Sequence, residues 1–112
     1  MMNLRLTPLY DTNWGEILID KYPFSLGRHP ECHEQILHPL ISRLHCRIYL
    51  NGEGHWLEDL DSRNGTTVNG EAVKEPQLLQ EGDVIGLPFY AFRVEVVPKS
   101  TLVSCSPCSS TM

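Results

Sequence analysis

Residues 62–70 read SRNGTTVNG and place two Asn-Gly pairs close together. Asn-Gly favours the positive φ angles that tight turns require. Two further turn signals, Asn51-Gly52 and Glu81-Gly82, lie on either side of this stretch. The stretch therefore predicts turns and loops that join short elements of secondary structure.

The segments on both sides of residues 62–70 show partial or clear alternation of apolar and polar residues. Such alternation buries one face of a β-strand and leaves the other in solvent. Eight prolines and eight glycines divide the chain into pieces that are too short for ordinary helices. We therefore predict an all-β antiparallel sandwich, with strands at residues 4–6, 16–19, 24–26, 46–50, 56–60, 83–87 and 91–96.

The length of the chain, 112 residues, fits one domain with its own core. We place this domain at residues 1–98, because residues 99–112 are dominated by Ser, Thr, Cys and Pro. That composition predicts a flexible tail or the start of a linker. No apolar run approaches the roughly 20 residues that span a bilayer, and the N-terminus lacks the layout of a secretion signal. A cytoplasmic protein with reduced cysteines is therefore expected.

The formal net charge of −5 argues against an extended nucleic-acid surface, which needs many Lys and Arg side chains. A site for a single phosphate remains possible, because local charge decides that. No metal or cofactor is predicted, because the five histidines lack the pairing typical of a metal site. Cys105 and Cys108 have the spacing of half a zinc site, but no second Cys pair accompanies them.

Three polar clusters fall between the predicted strands, at Gly27-Arg28, at residues 42–45 (SRLH) and at residues 62–70. In order and spacing they resemble the forkhead-associated (FHA) family, whose pattern is Gly-Arg, then Ser-x-x-His, then Asn-Gly-Thr-x-x-Asn-Gly. The resemblance covers residues 24–97. It implies an FHA/SMAD-like sandwich of about eleven short strands, whose loops bind phosphothreonine-containing protein segments and which is not itself an enzyme.

The resemblance also implies roles for individual residues. The phosphate is expected to contact Arg28, Ser42 and Arg43. The peptide is expected to contact Arg63, Asn64 and Leu40, with Asn64 holding the peptide backbone and Leu40 offering an apolar contact to the third residue after the phosphothreonine. The loops are expected to be braced by Gly27, His45, Thr66 and Asn69.

The residue types suit this chemistry. A phosphorylated side chain carries a charge of about −1.5 to −2 and three strong acceptor oxygens, which match the donor fork of arginine. Each of the three clusters contains one arginine. The expected partner is a phosphothreonine-containing protein, either a Ser/Thr kinase or a kinase substrate. The chain is expected to be monomeric unless its own tail is phosphorylated.

Two other classes of function are weaker. An assembly module would keep the sandwich but bind unphosphorylated protein surfaces through its faces. An enzyme would need a nucleophile and a base, and Ser42 beside His45 suggests such a pair, but no orienting acid or oxyanion loop is apparent. The complete set of Arg28, Ser42 and Asn64 favours phosphopeptide binding.

Overall fold

The computed structural model describes residues 2–9, 15–52 and 54–98. These residues form strands, turns and loops, and none of them belongs to a helix that could cross a membrane. The predicted tail, residues 99–112, lies outside the described residues. The strands are β1 (Met2–Pro8), β2 (Ile17–Ile19), β3 (Phe24–Gly27), β4 (Glu34–Gln35), β5 (Cys46–Asn51), β6 (Gly54–Asp59), β7 (Thr67–Val68), β8 (Glu71–Ala72), β9 (Gln77–Leu79), β10 (Val84–Leu87) and β11 (Tyr90–Pro98).

The strands form two sheets. A six-stranded sheet has the order β2-β1-β11-β10-β7-β8, and a five-stranded sheet has the order β4-β3-β5-β6-β9. The strand pairs are antiparallel, except that β3 and β4 run parallel with Leu26 opposite Glu34. The predicted all-β sandwich of about eleven strands is confirmed, with this one parallel pair as a departure from its antiparallel pattern.

Both sheets turn one face towards a common apolar core. Leu4 and Leu6 of β1 are buried there, as are Cys46 and Ile48 of β5 in the other sheet. Burial raises the pKa of the Cys46 thiol to about 12, so this group stays protonated at neutral pH. The alternation that marked these strands in the sequence therefore separates core from solvent.

All seven predicted strands are confirmed, and each lies within or largely overlaps an observed strand. The remaining four strands, β4, β7, β8 and β9, have only two or three residues each. A segment of that length is too short to show a period of two. These strands could therefore not be found from the pattern of the sequence.

The two Asn-Gly pairs of residues 62–70 behave differently. Asn69 and Gly70 form the two-residue turn between β7 and β8, and both have positive φ angles, of 53° and 86°. Asn64-Gly65 is not a hairpin turn, because it lies in the loop that connects β6 in the five-stranded sheet to β7 in the six-stranded sheet. This crossing loop carries residues 62–65 past the loop that precedes β5.

Candidate functional site

Three inter-strand loops meet and form an open pocket of about 330 Å³. They are the loop after β3, the loop before β5 and the crossing loop after β6. We call this the arginine pocket, and its lining consists of Arg28, Pro39, Leu40, Ile41, Ser42, Arg43, Arg63 and Asn64. The structure thus brings together all six residues to which the sequence assigned phosphate or peptide contacts.

Arg28 follows the last residue of β3, and its side chain is held from one end. Its Nε donates a hydrogen bond to the backbone carbonyl of Ile41 at 3.0 Å. Within the described ranges, its two terminal amino groups make no hydrogen bond or ion pair. A guanidinium has five N–H donors in a fixed plane, so four of them remain available on a side chain whose direction is already set.

The loops after β3 and before β5 are joined backbone to backbone. Arg28 N–H donates to the Ser42 carbonyl at 3.0 Å, and His29 N–H donates to the Arg43 carbonyl at 3.1 Å. A Cβ atom on Gly27 would overlap with that same Arg43 carbonyl oxygen. Only glycine fits this approach, so Gly27 allows the two loops to lie this close together.

Ser42 links the loop before β5 to the crossing loop. Its Oγ accepts a hydrogen bond from the backbone N–H of Arg63 at 2.9 Å. Because the oxygen acts as acceptor in this contact, the hydroxyl hydrogen is free to donate. Ser42 also lines the arginine pocket, so its hydroxyl lies within reach of a ligand bound there.

Asn64 makes a second link between the same two loops. Its side-chain Nδ2 donates to the backbone carbonyl of Leu40 at 2.8 Å. The other amide hydrogen and Oδ1 have no partner among the residues that the structure describes. One side chain can therefore hold the loop before β5 and still offer a donor and an acceptor to an incoming backbone.

His45 lies below these loops with a fully buried side chain. Its Nδ1 accepts a hydrogen bond from Ser42 N–H at 3.0 Å, and its Nε2 lies 2.9 Å from the Gly65 carbonyl oxygen. Since a carbonyl can only accept, Nε2 donates, and the ring is the neutral Nε2–H tautomer. His45 thus joins the loop before β5 to the crossing loop and does not reach the pocket surface.

Thr66 is also buried, and it anchors the end of the crossing loop. Its hydroxyl donates to Oδ1 of Asp59 at 2.7 Å, while Ser62 N–H donates to Oδ2 at 3.0 Å. Partial burial raises the pKa of Asp59, but the hydrogen bonds from Ser62 and Thr66 outweigh burial, so the pKa is lower than usual. Asp59 is therefore an ionised anchor for the crossing loop at neutral pH.

The charge of the pocket is opposite to that of the chain. Three of the nine Lys and Arg residues, Arg28, Arg43 and Arg63, line it, and no Asp or Glu among the described residues does. Two other arginines, Arg5 and Arg47, form ion pairs with glutamates. The three pocket arginines form no ion pair with a described residue. The site is a local cationic surface on a chain with a net charge of −5.

The structure does not bring Asn69 into this cluster. Its side chain donates to Asp83 at 3.1 Å and accepts from the backbone N–H of Val84 at 3.0 Å. Asn69 therefore fastens the β7–β8 turn to the start of β10, outside the arginine pocket. Its predicted role of bracing the binding loops has no direct contact to support it.

Two groups that support the arginine pocket were not predicted from the sequence. The Ile41 carbonyl that holds Arg28 is a backbone atom and leaves no signal in the sequence. Asp59 does leave one, because an Asp three residues before Ser62 is typical of a local side-chain-to-backbone turn.

A nucleophile and base pair is not formed by Ser42 and His45. The Nδ1 atom of His45 is bonded to the backbone of Ser42 and not to its hydroxyl, and that hydroxyl is bonded to Arg63. Activation of a serine needs a direct contact between the hydroxyl and the base. Among the described residues there is also no group of three His, Cys, Asp or Glu side chains that could hold a metal ion.

Comparison with known proteins places this arrangement in a family. Residues 24–88 match the family model of the FHA domain. Human proliferation marker protein Ki-67 is 38% identical over 79 residues, which cover 66% of this chain and 2% of that protein. FHA domain-containing protein FhaA of Mycobacterium tuberculosis is 42% identical over 62 residues, or 55% of this chain and 12% of that protein. The chain thus spans a small part of these relatives.

A solved structure shows the same fold. It belongs to a study of phosphothreonine-dependent FHA domain interactions, and it is 29% identical with a TM-score of 0.77 over 86% of this chain and 98% of that chain. The family match covers more than half of the sequence and includes the three loops of the arginine pocket. The chain belongs to the FHA domain family.

Proposed function

We propose that this domain binds protein segments that contain phosphothreonine, with the phosphate in the arginine pocket. The observation that carries the proposal is the tethered Arg28. Its Nε is bonded to Ile41 while its terminal amino groups remain available, at a pocket that no acidic residue of the described ranges lines. A guanidinium fixed in this way gives charge-assisted hydrogen bonds to phosphate with little loss of side-chain freedom.

In this proposal two side chains donate hydrogen bonds to the phosphate. Arg28 supplies two N–H groups to one face of the phosphate, and Ser42 supplies its hydroxyl hydrogen, which the contact from Arg63 leaves free. Arg43 adds positive charge from the edge of the pocket. The separate tethers of Arg28 and Ser42 mean that both donors are in place before the ligand arrives.

Asn64 holds the backbone of the bound segment. An extended peptide presents an N–H and a carbonyl at each residue, and the side-chain amide of Asn64 has a free acceptor and a free donor N–H to match them. Arg63, next to Asn64 on the crossing loop, lies where it can contact a flanking acidic group. The phosphate and the backbone are thus recognised by different side chains.

The partner we propose is a Ser/Thr kinase or a kinase substrate, in a cytoplasmic setting, with the domain acting as an adaptor and not as a catalyst. The match to FHA domains supports this partner class. An assembly module that binds unphosphorylated surfaces is the alternative. It gives no reason for three arginines that line one pocket and form no ion pair with a described residue.

The experiment is a binding measurement with an oriented peptide library. Three pools share the same flanking positions and differ only at the fixed residue, which is phosphothreonine, phosphoserine or threonine. The proposal predicts strong retention of the phosphothreonine pool and little retention of the threonine pool. Equal retention of the phosphorylated and unphosphorylated pools would favour the assembly module instead.

A further inference from the structure

A second pocket, of about 550 Å³, lies beside the arginine pocket on the side of the loop after β3. We call it the side pocket, and it is lined by His29, Glu31, Arg43 and Leu44. Arg43 lines the arginine pocket as well. The two pockets therefore share one wall, and a segment with its phosphate at Arg28 can continue past Arg43 into the side pocket.

The loop after β3, which carries His29 and Glu31, is fixed to the loop that carries Arg43. The Arg43 carbonyl accepts two hydrogen bonds from it, from the His29 N–H at 3.1 Å and from Sγ of Cys32 at 3.3 Å. Within the loop, Nδ1 of His29 accepts a hydrogen bond from the backbone N–H of Glu31 at 3.0 Å. The backbone of Glu31 is therefore held at one position relative to the arginine pocket.

The side pocket differs in chemistry from the arginine pocket. Glu31 supplies a carboxylate that forms no ion pair with a described residue. Leu44 supplies an apolar side chain that is 55% exposed. A carboxylate close to exposed apolar surface suits an arginine or lysine side chain, because the hydrocarbon stem packs on the apolar group while the cation contacts the carboxylate. In the proposed function the phosphate balances the charge of Arg43, so Arg43 does not repel such a ligand strongly.

We propose that the side pocket binds a basic side chain of the phosphorylated segment and that Glu31 selects it. This inference rests on the proposed function, because the phosphate at Arg28 sets which residue of the segment reaches the side pocket. The domain then recognises two opposite charges, a phosphate in the arginine pocket and a cation at Glu31. The ligand class is a phosphothreonine segment with an arginine or lysine at a fixed distance from the phosphate.

Two variants change the charge of the side pocket. Glu31→Gln removes the charge with almost no change in side-chain size, and Glu31→Arg reverses it. Glu75→Gln is the matched control, because Glu75 is an exposed glutamate that lines neither pocket and its replacement changes the net charge by the same amount as Glu31→Gln.

The probes are phosphothreonine peptides of equal length in which one arginine is moved through four positions on each side of the phosphothreonine. A second set has glutamate at the same positions, and a reference peptide has serine at all of them. Wild type and Glu75→Gln should bind one register of the arginine peptides about 3- to 10-fold more tightly than the reference. In Glu31→Gln that gain should fall to less than about twofold, and Glu31→Arg should prefer glutamate to arginine at the same register.

The inference is overturned if no register gains affinity in the wild type, or if Glu31→Gln keeps the gain. An equal gain at every register would also overturn it, because a net charge of −5 attracts basic peptides without a site. The unphosphorylated reference peptide separates this inference from the proposed function. If it binds as tightly as the phosphorylated one, both fail. If only the phosphorylated one binds, the proposed function stands whatever the arginine peptides show.

Discussion

The backbone N–H of Ser42 donates a hydrogen bond to Nδ1 of the buried His45 ring at 3.0 Å. The opposite nitrogen of the same ring reaches the Gly65 carbonyl. The loop before β5 and the crossing loop, which are distant in sequence, are therefore held together by a single side chain. The position of the Ser42 hydroxyl in the arginine pocket therefore depends on a buried residue that is not among those lining the pocket.

His45→Ala should lower the free energy of unfolding by about 2 to 4 kcal/mol, because it leaves a cavity and two partly buried backbone groups without their partners. Leu37→Ala, at a residue that is 76% exposed and does not line the arginine pocket, is the control. Urea denaturation of both variants gives the comparison. A complex in which the His45 ring is bonded to the phosphate would show that the residue is a direct contact and not a brace.

Asp59→Asn should destabilise the domain in a manner that depends on pH. The pKa of Asp59 is lower in the folded protein than in the unfolded chain, because hydrogen bonds from Ser62 and Thr66 outweigh partial burial. Its carboxylate therefore stabilises the fold above the unfolded-state pKa, and this contribution is lost as the pH falls through the folded-state pKa.

Free energies of unfolding measured at intervals between about pH 2.5 and pH 7 test this dependence. The difference between wild type and Asp59→Asn should be largest at neutral pH and should narrow in acid. Asp20→Asn, at an exposed position, should show no comparable loss. A difference for Asp59→Asn that is constant over the whole range contradicts the role given to the ionised carboxylate.

Much of the fold follows from local sequence. The long strands β1, β5 and β11 carry an alternation that survives in the structure, and the Asn69-Gly70 turn has the backbone angles that its residues favour. Asn64-Gly65 has the same residue types but joins two sheets. A pair of residues specifies a local angle, whereas the partners of the flanking strands are chosen by long-range packing.

The order of three short motifs predicted six residues that the structure places around the arginine pocket, but it did not predict the hydrogen bonds that hold them there. The bond from Arg28 to Ile41 involves a backbone acceptor, and the ring of His45 selects its partners only after folding. The positive φ angle of Phe89, 66°, is also not evident from the sequence, because the residue pair Pro-Phe at a turn does not predict it. Contacts of this kind depend on tertiary geometry and not on residue type.

Ser42→Ala and Asn64→Ala should weaken binding in different ways. Ser42→Ala removes a donor to the phosphate, so the ratio of affinities for phosphorylated and unphosphorylated peptide should fall. Asn64→Ala removes a backbone contact and should lower both affinities while leaving that ratio close to the wild-type value. Fluorescence anisotropy with the two peptides measures the ratio. The backbone role of Asn64 is wrong if Asn64→Ala binds the phosphopeptide with unchanged affinity.

Phosphoserine should bind less tightly than phosphothreonine by about fourfold or more. The difference is one methyl group, and burial of a group of that size is worth about 0.8 kcal/mol. The stiffer rotamer of threonine adds to it. Pro39 and Leu40 supply apolar surface in the arginine pocket. Competition between two peptides that differ only at this residue gives the ratio, and equal affinities would exclude a methyl niche.

The proposed phosphate site depends most on Arg28. Its tether to Ile41 fixes a guanidinium that nothing else among the described residues neutralises. Arg28→Ala removes one partner of the proposed arginine–phosphate contact. Such a loss costs about 2 to 5 kcal/mol of binding free energy, which corresponds to roughly 30-fold to several thousand-fold in affinity. Arg28→Lys should not restore binding, because a lysine has neither the tether nor the forked donors.

The most direct test is calorimetric titration of wild type, Arg28→Ala and Arg93→Ala with one phosphothreonine peptide selected from the library. Arg93 is an exposed arginine on β11 that does not line the arginine pocket. Arg93→Ala should bind within about twofold of the wild type, and Arg28→Ala should show no measurable heat of binding while its unfolding transition is unchanged. A wild-type dissociation constant for Arg28→Ala would contradict the assignment of this pocket as the phosphothreonine site.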